Sequence, residues 1–348
     1  MIKQISIPEF NQLSNIPLAD VRTPAEFVQG HVPGAFNLPL FDNEERVKVG
    51  TTYKQQSREE AILLGFDLTG NKWSGFIKDA LKVSPQKKVA VHCWRGGMRS
   101  GAMAWALNLY GFEVYVINGG YKNFRRWVLQ QFESQYQLCI LGGMTGSGKT
   151  KILHQLKAMG EQVIDLEDLA QHQGSSYGTL NKLIQPTQEQ FENNMALQLS
   201  TLDKNCRIWV EDESLTIGKR VIPNPFWHQM RDAVLIDLKL ETEQRVKNLV
   251  EEYGSLEPDF LVESTQRIWK RLGPLQTQQA IAAIRENRMA DFIRLVLVYY
   301  DKTYRNGLSK RHAESIFSLE IRSENATQIA EQLLNFIPVK EASAKITS

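Results

Sequence analysis

Cysteine is scarce in this chain. There are 3 in 348 residues, Cys93, Cys139 and Cys206. They are too few and too scattered for a disulfide framework, which excludes a small bridged secreted scaffold and suits a reducing compartment. Long apolar runs are also missing. No window of 18 apolar residues occurs, so no membrane span and no membrane partner are expected. The N-terminal residues MIKQISIPEFNQL lack the apolar stretch of a secretory signal, and a cytoplasmic location is expected. Internal repeats and low-complexity runs are absent, apart from an expected fraying tail after Val339. Net charge is only +2. An apolar fraction of 42% and a charged fraction of 23% exclude a mainly disordered or fibrous chain. At roughly 100–200 residues per domain the length predicts two or three domains.

The small net charge hides an uneven distribution. Residues 1–130 carry 16 basic and 11 acidic side chains, whereas residues 264–311 carry 10 basic and 3 acidic ones. A basic stretch of this kind is a candidate footprint for a nucleic-acid backbone, through Arg267, Lys270, Arg271, Arg285, Arg288, Lys302 and Arg305, with the Arg125-Arg126 pair upstream. The competing reading is a solvated face of long helices.

The pattern of elements predicts an α/β chain. Short strands are expected at Pro17–Val21, Lys87–His92 and Val114–Ile117, with helices at Thr23–Gln29, 57–82 and Gly101–Tyr110. Alternating strands and helices imply a parallel sheet. A polar stretch near residues 131–136 reads as a linker between a first domain, 1–130, and a second that starts at 137. The pattern then restarts with strands near Leu138–Leu141, Val163–Leu166, Arg207–Val210 and Ala233–Leu238 and a helix at Lys149–Met159. Residues 137–240 read as an α/β domain, and 241–348 as a mainly helical region packed on it. The apolar run Phe292–Tyr300 reads as core.

Two constellations carry chemistry. The first is Val91-His92-Cys93-Trp94-Arg95-Gly96-Gly97-Met98-Arg99-Ser100. It reads as strand, loop and helix, with the cysteine at the carboxyl end of a parallel strand, where open α/β sheets place ligands. The loop N–H groups and the helix N-terminus favour an anion, and two glycines let the loop curl. Arg95 and Arg99 add positive charge. The same field predicts a Cys93 thiol held as its thiolate, the nucleophilic form. Trp94, Gly96, Gly97 and Met98 complete the expected cradle. His92 reads as a structural or loop-orienting residue.

With Asp20-Val21-Arg22-Thr23-Pro24, Gly30-His31-Val32-Pro33-Gly34 and Ile117-Asn118-Gly119-Gly120-Tyr121, this segment resembles the rhodanese (sulfurtransferase) domain over residues 13–128. The resemblance implies a cysteine that carries a persulfide, with Asp20 and Arg22 structural. The loop from Cys93 to Arg99 has seven residues, one more than in simple rhodaneses. That length is shared with cysteine-dependent phosphatases, whose loop wraps a tetrahedral oxyanion. A phosphatase or arsenate-reductase reading stays open on this loop alone, and the larger cradle also suits a selenium donor that carries a phosphate.

The second constellation is Gly143-Met144-Thr145-Gly146-Ser147-Gly148-Lys149-Thr150, a full G-x-x-x-x-G-K-[ST] between an apolar strand and a helix. Its N–H groups can cradle a di- or triphosphate, Lys149 neutralises charge, and the Thr150 hydroxyl can reach Mg²⁺. An acidic partner should end a later strand. Asp212 is the first choice, followed by Glu211, with Asp165 a further one.

Both motifs, their order, and the phrases Val49-Gly50-Thr51-Thr52-Tyr53-Lys54, Asp165-Leu166-Glu167-Asp168-Leu169-Ala170 and Val210-Glu211-Asp212-Glu213-Ser214 resemble the tRNA 2-selenouridine synthase family, from about Ser6 to Pro338. The resemblance implies a rhodanese-like parallel-sheet domain followed by a P-loop NTPase-like domain with a helical C-terminal part. It implies a transferase that alkylates the sulfur of a wobble 2-thiouridine with geranyl diphosphate and then replaces the S-geranyl group with selenium from selenophosphate. The expected tRNAs are those for Lys, Glu and Gln. Cys93 would carry a selenium adduct, and residues 143–150 would hold the diphosphate, with Mg²⁺ optional and no bound redox cofactor. The residues do not fix an oligomeric state; a monomer is the expectation. The sequence does not locate a groove for the geranyl chain. The alternative enzyme is an ATP-dependent tRNA sulfurtransferase that works through a Cys93 persulfide.

Overall fold

A computed structural model describes residues 1–13, 15–172, 184–254, 256–321 and 325–336. The tail after Val339 and the end of the family resemblance at Pro338 lie outside them. The chain divides into two compact units. The first comprises Met1–Gln131 with Glu192–Leu197, and the second comprises Phe132–Phe191 with Gln198–Ser348.

The first unit is built on five parallel strands: β1 Ile2–Ile5, β2 Leu18–Asp20, β3 Phe36–Asn37, β4 Lys88–His92 and β5 Glu113–Ile117. Their order across the sheet is β1-β5-β4-β2-β3. In the central strand β4, Val89, Ala90 and Val91 are wholly buried. A strand covered on both faces must be apolar along its whole length rather than alternately, which is why this segment reads as a continuous run. Helix starts are written locally. Ser6 with Glu9, Thr23 with Glu26, and Asp42 with Glu45 each form a reciprocal capping box, which satisfies the orphan N–H groups of a first turn. The core beneath the sheet includes Val21, Phe76, Met103, Leu107, Phe112 and Val114.

The edge strand β1, whose residues are mostly exposed, departs from the sequence expectation, and two further departures lie here. The first is the helix Asn43–Gln55, which precedes the helices Arg58–Thr69 and Trp73–Val83. It has no fully buried residue, so it lacks the apolar stripe by which helices are found. The second is the expected linker. The helix Gly120–Glu133 runs through its first three positions, because Phe132 is buried and anchors the last turn.

The second unit repeats the parallel plan. Its strands are β6 Gln137–Gly143, β7 Gln162–Ile164, β8 Arg207–Glu211, the short pair β9 Thr216–Ile217 and β10 Arg220–Val221, then β11 Val234–Lys239 and β12 Ile316–Glu320. The main sheet runs β12-β11-β6-β8-β7, and β9 and β10 form a separate antiparallel pair. β12 lies within the region expected to be mainly helical. It pairs with β11 from Leu235–Ile316 to Lys239–Glu320. The helices Thr242–Tyr253, Pro258–Arg267, Trp269–Leu272, Pro274–Arg285 and Met289–Leu308 close around a core of their own, which contains Leu249, Leu261, Ile284, Phe292 and Val296. The run Phe292–Tyr300 is core on one face only, since Val298 is 70% exposed.

Candidate active sites

In the first unit, β4 ends at His92, and the chain turns through Cys93 to Gly97 into the helix Met98–Leu109. One backbone donor and one hydroxyl meet the sulfur. The Gly97 N–H donates to Sγ at 3.3 Å, and the Ser100 hydroxyl lies 3.3 Å from it. Burial alone would push the Cys93 thiol up. The Ser100 hydroxyl, the backbone N–H groups of Ser100 and Arg95, and the charge of Arg99 outweigh it, so the thiol sits below its ordinary value. Cys139 shows the opposite case. It is wholly buried in β6 with no such donors, and burial pushes it up to about 12.

The cradle is shaped by a second turn packed against it. The Tyr121 N–H donates to the Cys93 carbonyl and the Lys122 N–H to the Trp94 carbonyl, both at 2.9 Å. Gly96 has φ +66° and Gly120 has φ +58°. A Cβ on Gly120 would lie 2.2 Å from the Cys93 carbonyl oxygen, and one on Gly96 would lie 2.7 Å from the Ile117 carbonyl oxygen. Only glycine permits both the left-handed backbone and this approach. Of the expected cradle residues, Trp94, Arg95 and Met98 are exposed at the rim. Arg99 is held by Glu26 through bonds of 2.8 and 3.3 Å, so its charge is shared with a carboxylate. Glu26 and Ser100 are functional neighbours that the sequence motif did not flag.

Asp20 and Arg22 take the structural role expected of them. They form a wholly buried ion pair of 2.6 Å, and Arg22 also donates to the Gly30 carbonyl at 2.6 Å and lies over the Tyr121 ring. His92 is buried with Nε2 3.7 Å from Asp20. Burial, more than any other influence, pushes its pKa down.

In the second unit, β6 runs into the loop 143–148, and the helix Lys149–Ala158 opens directly after it. Gly146, at φ +84°, would bring a Cβ within 2.8 Å of the Arg245 carbonyl oxygen. The loop is clamped from the helix Thr242–Tyr253. Arg245 donates to the Thr145 carbonyl at 2.9 Å, Asn248 donates to the Gly146 carbonyl at 2.9 Å, and Arg245 is itself paired with Asp301 at 3.0 Å. Lys149 Nζ donates to the Gly143 carbonyl at 2.9 Å and lies 3.8 Å from Glu211. Thr150 opens the helix beside it. Ser147 is buried and its hydroxyl has no partner.

The acidic candidates have different surroundings. Asp212 is bonded to the buried Arg311 at 2.7 Å, and Arg311 also donates to the Met230 carbonyl. Asp165 caps the helix Leu166–Ala170 and meets His154 at 3.2 Å. Glu211, at the end of β8, gathers instead with Glu167 and Glu213, their oxygens all within 4.8 Å of one another. Burial pushes all three carboxyls up, aided by the charge of Glu211 at Glu167 and Glu213 and by Asp165 and Asp212 at Glu211, and the buried Glu211 Oε2 has no partner. Three oxygens in this state fit a hard divalent cation, which would offset the repulsion and satisfy the orphaned oxygen. Glu167 and Glu213 lay in phrases the sequence singled out, but no spacing rule joins them.

The basic candidates separate into paired and exposed groups. Arg125 is bonded to Glu192 and, at 2.6 Å, to Asn193. Arg267 pairs with Glu263, and Arg288 pairs with Glu286 and Asp291. Arg125 is largely buried in its pair, whereas the pairs of Arg267 and Arg288 lie at the surface, where an ion pair is worth little and a phosphate can compete for it. Arg271 donates to Tyr299, and Lys270 lies over Trp269. Arg126, Arg285, Lys302 and Arg305 are exposed, and none of the four is in an ion pair among the described residues. No helix among the described residues is long and apolar enough to cross a membrane.

A family model described as the tRNA 2-selenouridine synthase AAA domain matches residues 136–334, and one for a rhodanese-like domain matches residues 7–126. The chain is similar to the tRNA 2-selenouridine synthase of Shewanella denitrificans, at 36% identity over 89% of this chain and 93% of the relative. It is similar to that of Bdellovibrio bacteriovorus, at 34% over 87% and 92%. It is also similar to that of Nitrosomonas europaea, at 36% over 76% and 69%.

Proposed function

The chain belongs to the tRNA 2-selenouridine synthase family, and from that premise we propose that it converts a wobble 2-thiouridine in tRNA to 2-selenouridine in two transfers. In the first, the nucleoside sulfur takes a geranyl group from geranyl diphosphate held at residues 143–150. In the second, the Cys93 thiolate takes selenium from selenophosphate as phosphite leaves. The S–Se⁻ so formed attacks C2 of the base as geranyl thiolate leaves. A small-molecule thiol then cleaves the S–Se bond, which releases 2-selenouridine and returns Cys93 as a mixed disulfide that a second thiol reduces. The substrates are tRNAs for Lys, Glu and Gln, and the site of action is the cytoplasm.

The observation that carries this reading is the buried Cys93 thiol, held below its ordinary value by donors that close an anion cradle. A thiolate there is a nucleophile ready for a chalcogen, and the surrounding N–H groups suit the oxyanion of a phosphorylated selenium donor. S-alkylation fits the same logic, because a thiocarbonyl sulfur leaves poorly as sulfide but well as a thiolate. At the second site, the loop N–H groups and Lys149 would take a diphosphate, which needs no nucleoside. Glu167, Glu211 and Glu213 would hold a divalent cation near that charge, and the cation would supply Lewis-acid stabilisation of a departing diphosphate.

Nucleoside mass spectrometry tests the reading. Wild type with 2-thiouridine tRNA, geranyl diphosphate and then selenophosphate is expected to yield 2-selenouridine. Cys93→Ala is expected to stop at the geranylated nucleoside, and Lys149→Ala to leave 2-thiouridine unreacted. Geranylation that survives Lys149→Ala while selenation fails would remove the P-loop assignment. A wild type that leaves 2-thiouridine untouched, yet thiolates unmodified tRNA with ATP, would replace the reading with a sulfurtransferase.

A further inference from the structure

The first unit holds a cleft that the thiol chemistry leaves unused. It has a volume of about 1120 Å³ and is lined by residues of the helices Asn43–Gln55, Arg58–Thr69 and Met98–Leu109 and of the cradle loop. Pockets for drug-sized ligands run to about 300–1,000 Å³, so there is room for a chain together with its carrier. The walls are apolar, with Leu40, Phe41, Val49, Ile62, Phe66 and Trp73 among them. Val47 is 67% exposed and Phe66 58% exposed. Large apolar side chains grouped in an open cleft mark a place where something apolar sits.

The charges name the rest of the ligand. Arg46, Lys54 and Arg58 line the cleft from the helices Asn43–Gln55 and Arg58–Thr69, and Arg95 and Arg99 line it from the cradle. The acidic lining residue is Glu26, already bonded to Arg99. Apolar walls with a cationic margin are complementary to an apolar chain on an anionic carrier. The phrase Val49 to Lys54, which the chemistry of the two sites does not employ, contributes Val49, Gly50, Thr51, Tyr53 and Lys54 to this lining. Arg95, Met98 and Arg99 belong both to the cleft and to the loop around Cys93.

We propose that this cleft seats the prenyl chain of an S-alkylated nucleotide in RNA, with RNA phosphates against Arg46, Lys54 and Arg58, so that the departing thiol is held beside the Cys93 loop. This rests on the reading above that the geranyl thiol is displaced at Cys93. The cleft thereby distinguishes the product of the first transfer from the unalkylated tRNA, and it gives the second step its selectivity.

The test uses the full chain and two labelled anticodon stem-loops, one with S-geranyl-2-thiouridine and one with 2-thiouridine. Wild type is expected to bind the geranylated RNA at least about tenfold more tightly, the worth of burying a few methylene groups. Val47→Asp and Phe66→Asp, both at exposed positions and checked for unchanged melting, are expected to erase that preference while leaving the affinity for 2-thiouridine RNA intact. A preference that survives both substitutions, or none in wild type, overturns the inference. So does geranyl diphosphate alone displacing the geranylated RNA while the variants lose geranylation instead of selenation, because the cleft would then serve the donor. Wild-type conversion of the geranylated RNA by selenophosphate is read separately. If no 2-selenouridine forms but binding still depends on the cleft, the two-transfer reading falls and the cleft assignment stands.

Discussion

At the level of single residues, the chain uses the same atom for opposite ends. Cys93 and Cys139 both lie at or within parallel strands and both are buried, yet one thiol is held down and the other is pushed up to about 12. The difference is the supply of N–H and O–H donors. Removing one donor should therefore move the reactivity. In a Cys206→Ser background, which takes away the exposed thiol, iodoacetamide should label Cys93 with a midpoint below that of an ordinary cysteine, since a lowered pKa keeps the thiolate to lower pH. Ser100→Ala should raise that midpoint, and Cys139 should stay unlabelled in the native state; mass-spectrometric mapping of the alkylated peptides against pH checks all three. Cys93 and its loop were legible in the sequence because strand, glycine and arginine follow one another along the chain. Glu26 and Ser100 were not, because Glu26 reaches Arg99 from 73 residues away and a serine in a helix carries no local signal. Glu211 was legible only as a second choice. Asp212 beside it looks equivalent until Arg311, 99 positions on, takes it.

Among elements, the cradle depends on two turns that fold against each other. Gly120→Ala would force a Cβ into the Cys93 carbonyl at a left-handed backbone position. A cost of about 2–4 kcal/mol is expected, with a loss of Cys93 reactivity larger than Ser100→Ala gives; urea unfolding and the alkylation rate measure the two. The P-loop depends on the helix Thr242–Tyr253 in the same manner. Arg245→Met keeps much of the bulk but leaves Asp301 and the Thr145 carbonyl without their partner. It should weaken geranyl diphosphate binding at least about tenfold, as calorimetry would show, and should destabilise the second unit by about 3–5 kcal/mol, the scale for breaking a buried pair. The central strands and most helices could be read from apolar runs and caps, but not the exposed edge strand β1 or the two-residue strands β9 and β10. The helix Asn43–Gln55 could not, because it exposes its apolar side chains toward the cleft instead of burying them. β12 was missed for another reason: its pattern alternates around only one buried residue, Leu319, and pairing with β11 alone decides its state.

For the whole molecule, two parallel sheets each deliver a reactive loop at the carboxyl end of a central strand, as open α/β sheets do. The basic stretch is a matter of the entire surface, and the structure divides it. A triple Arg285→Ala, Lys302→Ala, Arg305→Ala variant should weaken tRNA binding uniformly across sequences and lower the slope of log K against log salt by up to about 3, whereas Arg267→Ala and Arg288→Ala, whose charges are already paired, should change it less. Fluorescence titrations over a salt series measure this, and an unchanged slope in the triple variant would remove the stretch from the RNA interface. The order of strands also sets a timetable. β1 pairs only with β5, from Ile2–Val114 to Ile5–Ile117. During synthesis at about 5–20 residues per second, β1 leaves the ribosome roughly 5 to 20 seconds before its neighbour. For that interval it is an unpaired edge open to strangers. Nascent chains halted before residue 113 should be substantially more aggregation-prone than those halted beyond the first unit.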